Sequence, residues 1–164
     1  IIKEGAKVTI ISSDKDLMQL YKKNIRIFDP MKSKFINDED IFIKFGVSPD
    51  IIIDVQALAG DSSDNVPGVP GIGVKTAAEL INKYGNLDNL LKNANEIKQN
   101  KRRETIITNK DKALVSKKLV TLEKKVPVKN KIEEFIKKVK YPIIVKAASG
   151  GGGKGMRIVR KNLY

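Results

Sequence analysis

The 164-residue chain contains no cysteine, no histidine and no tryptophan. The first absence excludes disulfides and thiolate nucleophiles. The second excludes Ser-His-Asp machinery, and the two together remove zinc sites of the usual ligand types. Any chemistry must therefore use carboxylates, lysines, hydroxyls and oxygen-bound metals, and hard cations such as Mg²⁺ or Mn²⁺ suit that donor set. No apolar run approaches the roughly 20 residues that span a bilayer, so no membrane partner is expected. There is no initiator methionine, and no basic n-region leads into an apolar h-region with a cleavage site. No signal peptide and a cytoplasmic location are the expectation. Apolar residues make up 41% of the chain, enough for a packed core. The length suits one domain, or one domain with an appendage.

Charge is present in excess of one sign, with a formal net charge of +13. It is unevenly spread. Residues 1–91 carry 11 basic and 13 acidic side chains, residues 92–140 carry 16 and 6, and residues 141–164 carry 5 and none. A basic stretch behind an acidic front fits binding to a phosphate backbone. It fits equally well a lysine-rich genome writing solvated helix faces, and charge by itself does not choose between them.

The apolar pattern predicts a mainly helical α/β chain. KVTIIS (7–12) reads as a buried strand, with Asp14 and Asp16 just past its end. DLMQLY looks like a first helical turn, NIRIF (24–28) like a second strand, and Asp29-Pro30 like a turn. INDEDIFIKFG suggests a short helix stopped by Gly46. Ser48-Pro49-Asp50 predicts a capped helix start, with Ile51, Ile52, Val55, Leu58 and Ala59 as its apolar stripe and Gly60 as its end. After a breaker-rich loop (66–73), VKTAAELINKY forms the next helix, with Gly85 at its C-terminal side. Asn86 can cap another, LDNLLKNA. One longer helix is expected over about 101–120, burying Ile106, Ile107, Ala113, Leu114 and Leu119.

Two acidic pairs stand out. Asp14 and Asp16 follow a strand, at the sheet edge where α/β proteins bind ligands. Asp61 and Asp64 follow a helix, spaced to stay on one face. Like charges held together raise each other's pKa, and a divalent metal removes the conflict. Two metals about 3.5–4 Å apart would suit phosphodiester hydrolysis. Aspartates near loops also serve as turn-formers and helix caps, and that reading competes with the first.

Directly after Asp64 comes a loop suited to an anion. Gly71-Ile72-Gly73 would turn tightly, with Ile72 plugged into the core. Lys75 and Thr76 open the following helix, whose N-terminal N–H groups and dipole favour a phosphate. Such a grip holds a nucleic-acid strand by its backbone, whatever its sequence. A plain structural turn between packed helices is the other reading of the same residues.

GDSSDNVPGVPGIGVKTAAELI (60–81) resembles the signature of the 5′ nuclease family, which includes the flap endonucleases and the 5′–3′ exonuclease domain of bacterial DNA polymerase I. The resemblance extends upstream through ISSDKDLMQL and SPDIIIDVQALAGD, and downstream through YGNLDNLL to about Val128. It implies a PIN-like nuclease core, partial over 1–47, and a helix–three-turn–helix DNA-binding element with the following helices over 48–131. It implies that Asp14, Asp16, Asp61 and Asp64 are metal ligands for Mg²⁺ or Mn²⁺, with no catalytic residue named beyond them. Gly71, Ile72, Gly73, Lys75 and Thr76 would grip duplex or 5′-flap DNA, with K⁺ at the loop. The acidic pairs and the loop would then hold different phosphates.

Against that pattern, the sequence opens at about the middle of the family domain. The first metal-site strand, the basic arch and a further acidic cluster are not in it, and no polymerase domain follows. DNA binding with lost or reduced hydrolysis is therefore the expectation, with completion by a separate N-terminal fragment as an option. A non-functional fusion product is the alternative. The last residues support the idea of a join. YPIIVKAASGGGGKGMRIV resembles the ATP-grasp region of biotin carboxylases, in which Lys146 would contact ATP phosphates and Gly150, Gly151, Gly152, Gly153 and Lys154 would form the glycine-rich lid. The segment 132–164 is expected to be an appendage, with ATP binding ranked last among the functions.

Overall fold

The computed structural model describes residues 7–123 and, beyond them, the backbone of two short strands, 143–146 and 156–159. The chain divides into two compact units, Ile1–Leu122 and Glu123–Tyr164.

The first unit is mainly helical, with a small sheet at its front. Strand β1 (Val8–Ile11) pairs in parallel with β2 (Ile25–Asp29), from Val8 opposite Ile25 to Ile11 opposite Phe28. A third strand, β3 (Lys34–Ile36), lies antiparallel to β2 and was not expected from the sequence. It is only three residues long, too brief for alternation to show. The β2–β3 turn is built by Asp29, whose Oδ1 accepts from Ser13 Oγ and from the N–H of Met31 and Lys32. The residues after β1 form a 3₁₀ helix, Lys15–Leu20.

Helix α1 (Asp38–Phe45) starts in a capping box: Asn37 accepts from the Asp40 N–H, and Asp40 accepts from the Asn37 N–H. It stops at Gly46, which adopts φ +70. A 3₁₀ turn, Pro49–Ile51, then leads into α2 (Ile52–Ala59). Proline enters the turn as expected, but the Ser48 side chain makes no capping hydrogen bond. Helix α3 (Val74–Tyr84) follows the glycine loop and ends at Gly85, and Asn86 caps α4 (Leu87–Lys92) by accepting from Asn89 N–H.

The helix expected over about 101–120 is two helices, α5 (Asn100–Thr108) and α6 (Lys110–Val120). Asn109 breaks them. Its N–H closes the last turn of α5, its side-chain amide donates to the Thr105 carbonyl, and its own carbonyl starts α6. The break resets the helical phase. Ile106 and Ala113 are buried as expected and Leu114 is half-buried, whereas Ile107 and Leu119 lie exposed and Ser116 and Val120 take the inward positions.

The core gathers around α2. Ile52, Val55, Ala57 and Leu58 are wholly buried, and α3, α4 and α6 pack around them through Ala77, Ile81, Leu87, Leu90 and Ala113. In the second unit, β4 (Ile143–Lys146) and β5 (Met156–Val159) pair antiparallel, with Lys146 opposite Met156. The glycine run 150–153 and Lys154 lie outside the described residues.

Candidate metal centre and nucleic-acid interface

Three of the four expected carboxylates converge. Asp16 comes from the 3₁₀ helix after β1, and Asp61 and Asp64 come from the loop after α2. One oxygen of each lies within 4.8 Å of the others. Asp14 stands apart from this group. Its Oδ1 accepts from the Asp16 N–H at 2.9 Å and caps the 3₁₀ helix, so its carboxylate holds the backbone that carries Asp16.

The loop that presents Asp61 is tightly closed. Asp61 and Val66 exchange two backbone hydrogen bonds, of 2.9 and 2.8 Å. Asn65 sits at φ +55 to make that turn. Gly60 (φ +71) and Gly68 (φ +59) pass each other so closely that a Cβ on Gly68 would lie 2.4 Å from the Gly60 nitrogen. The Gly68 N–H donates to Ser116 Oγ at 2.9 Å, which ties the loop to α6.

The charges around the cluster are unequal. Asp61 forms an ion pair with Lys15 and accepts from the Ser63 hydroxyl and N–H. The Lys15 ammonium and then Ser63 hold its pKa down at about 2. Lys15 is raised in turn, chiefly by its hydrogen bond to Asp61. Asp16 is pushed up by burial, against a hydrogen bond from Gln56, with the Asp14 charge adding to the rise. A lysine thus already neutralises part of the cluster, the behaviour of carboxylates that attract cations. Three hard oxygen donors at this spacing fit a cation of the Mg²⁺ or Mn²⁺ kind.

The glycine loop presents a different surface. Ile72 is buried at 7% exposure, while Gly71, Gly73 and Lys75 face solvent and Thr76 is half-buried. A Cβ added at Gly71 or Gly73 would meet nothing within 4 Å. Gly71 needs glycine for its φ of +74, whereas Gly73 has ordinary extended backbone. Its freedom from a side chain thus leaves open space at the N-terminus of α3 without serving the turn. Beside the loop, a groove of about 500 Å³ is lined by Gly71, Thr76 and the first residues of α5, including Lys101 and Arg102. In the sequence, Lys101 and Arg102 sit inside a long basic run with nothing to distinguish them.

Residues 47–141 match the family model described as 5′-3′ exonuclease, C-terminal SAM fold. The chain belongs to the 5′–3′ exonuclease family. It is 58% identical over 124 residues to DNA polymerase I of Rhizobium leguminosarum, covering 76% of this chain and 12% of that protein. It is 41% identical over 142 residues to the 5′-3′ exonuclease of Buchnera aphidicola, covering 83% of this chain and 50% of that one. The chain therefore spans half or less of the length of these relatives. Among solved structures, T5 5′-exonuclease with bound divalent metal ions (zinc) superposes with a TM-score of 0.65 at 23% identity, over 70% of this chain and 42% of that one. That likeness shows the same fold, mostly helical with a small sheet.

Proposed function

We propose that this 5′–3′ exonuclease family chain grips duplex or 5′-flap DNA by its backbone and supplies part of the metal centre that hydrolyses the phosphodiester. The observation that carries the proposal is the meeting of Asp16 with Asp61 and Asp64, from separate elements, within 4.8 Å. Asp16, Asp61 and Asp64 would hold a divalent cation, with Asp14 either joining them or fixing the 3₁₀ helix beneath Asp16. A bound Mg²⁺ or Mn²⁺ would supply activated water and charge stabilisation at the leaving oxygen.

The chain's own residues do the rest. The open backbone at Gly71 and Gly73, the free N–H groups of α3 and the Lys75 ammonium anchor one strand away from the cluster. K⁺ at that loop is compatible with its exposed backbone. The rigid loop between Gly60 and Val69 then sets the spacing between grip and carboxylates. A two-metal centre calls for more carboxylates than the three gathered here. By itself this set favours binding over fast cleavage, and a segment carrying further carboxylates would complete it.

The test is cleavage of a 5′-flap DNA with Mg²⁺, with binding recorded on the same DNA and Asp61→Ala as control. Binding with slow cleavage that Asp61→Ala abolishes is the expected result. Cleavage that survives Asp61→Ala would remove the metal assignment, and absence of binding would remove the grip.

A further inference from the structure

Gln56 is a buried polar residue in the middle of α2, only 4% exposed, on a helix whose other inward positions are mainly apolar. Its Nε2 donates to Asp16 Oδ1 at 2.6 Å, linking positions 40 residues apart. A carboxylate accepts only, so the amide must turn its NH₂ group toward Asp16. Its Oε1 is then buried without a hydrogen-bond partner among the described residues. A half-satisfied buried carboxamide is unfavourable for folding, and a methionine of the same reach would avoid that penalty. The compensation lies at Asp16. Asp14 fixes the backbone of Asp16, and Gln56 is what fixes its side chain. Asp61, by contrast, is held by its own loop through Ser63 and by Lys15. Gln56 also lines the groove of about 440 Å³ that Lys15, Lys44 and Asp61 share.

We propose that Gln56 is a positioning residue that holds the Asp16 carboxylate against Asp61 and Asp64 in the arrangement that accepts a divalent cation. The proposal rests on the metal-binding reading given above. Hydrogen bonds to ligating groups orient them, and their loss typically weakens metal binding by about 10–100-fold.

The test uses the full chain with Mn²⁺ as the probe, titrated by calorimetry and by the Mn²⁺ electron paramagnetic resonance signal. Gln56→Met keeps length and volume but cannot donate. Gln56→Asn keeps a carboxamide one methylene short of Asp16. Both are expected to weaken Mn²⁺ binding by about 10–100-fold. Both should retain wild-type affinity for duplex DNA in chelator, since the glycine loop is untouched, and Gln56→Met should melt no lower than wild type. Wild-type Mn²⁺ affinity in Gln56→Met would overturn the proposal while leaving the metal site standing. Loss of DNA binding and of thermal stability along with the metal in both variants would overturn it in favour of a packing role. A wild-type chain whose Mn²⁺ binding is absent, or unchanged by Asp61→Ala, would bring down the metal site itself and this proposal with it.

Discussion

At the scale of single residues, the glycines of this chain divide into those the fold needs and those it does not. Gly68 cannot carry a side chain, because its φ is +59 and a Cβ would run into the Gly60 backbone at 2.4 Å. Gly68→Ala should cost about 2–4 kcal/mol in a urea melt, from left-handed strain plus overlap. Gly73→Ala should change stability by less than about 0.5 kcal/mol, since the site is open and extended. It should nevertheless weaken duplex binding, and unchanged affinity would show that the open backbone is not a phosphate cradle. Both glycines sit in one motif, and the sequence alone does not separate them. The convergence of Asp16, Asp61 and Asp64, though not the separate capping place of Asp14, was legible for a different reason: carboxylates bunched beside a strand end and a helix end conflict unless something holds them. Gln56 and Ser116 were not legible. Each looks like an ordinary polar residue on a helix, and its partner, Asp16 or Gly68, lies 40 or 48 positions away.

At the scale of elements, helix starts and stops were read where the local chemistry is strong. Gly46, Gly85 and Asn86 end or begin helices as their residue types demand. The break at Asn109 is not legible in the sequence, because no glycine or proline marks it and apolar residues recur on both sides of it. An asparagine in mid-run signals a break only when its side chain turns back on Thr105, as it does here. The capping box of α1 offers a quantitative check. Asn37→Ala should lower stability by about 1 kcal/mol in thermal or urea melts. The same box makes a pH prediction. Asp40 is held below the usual carboxylate range, first by Lys34 and then by the Asn37 N–H. Its contribution is therefore complete above the unfolded value of about 3.9 and is lost as pH falls through its lower folded value. Lys34→Ala should shrink the acid-side loss of stability seen in melts across that window. An unchanged slope would mean that the pair is screened out by solvent.

At the scale of the whole molecule, charge and geometry favour the same partner. Asp16, Asp61 and Asp64 are gathered at one cluster, and the glycine loop stands next to the cationic start of α5. Duplex affinity should therefore fall steeply with salt and hardly vary with base sequence. Lys75→Ala should weaken binding to all sequences alike and reduce the slope of log affinity against log salt by about one. Binding that ignores salt, or that discriminates strongly among sequences, would contradict backbone recognition. The lysine-rich composition left that question open at the level of sequence. What favours nucleic acid is the position of the basic groups beside an open glycine backbone rather than their number.

The loop that carries Asp61 has one more consequence. Surface loops usually exchange their amide protons quickly, because nothing holds them closed. Here the Val66 N–H is bonded to the Asp61 carbonyl, the Val69 N–H to the Leu58 carbonyl and the Gly68 N–H to a wholly buried serine hydroxyl. In deuterium exchange these amides should be protected on the timescale of α2 and not on that of a loop. A cation arriving at this loop would then meet a backbone already held in place at Asp61, with little main-chain disorder left to remove.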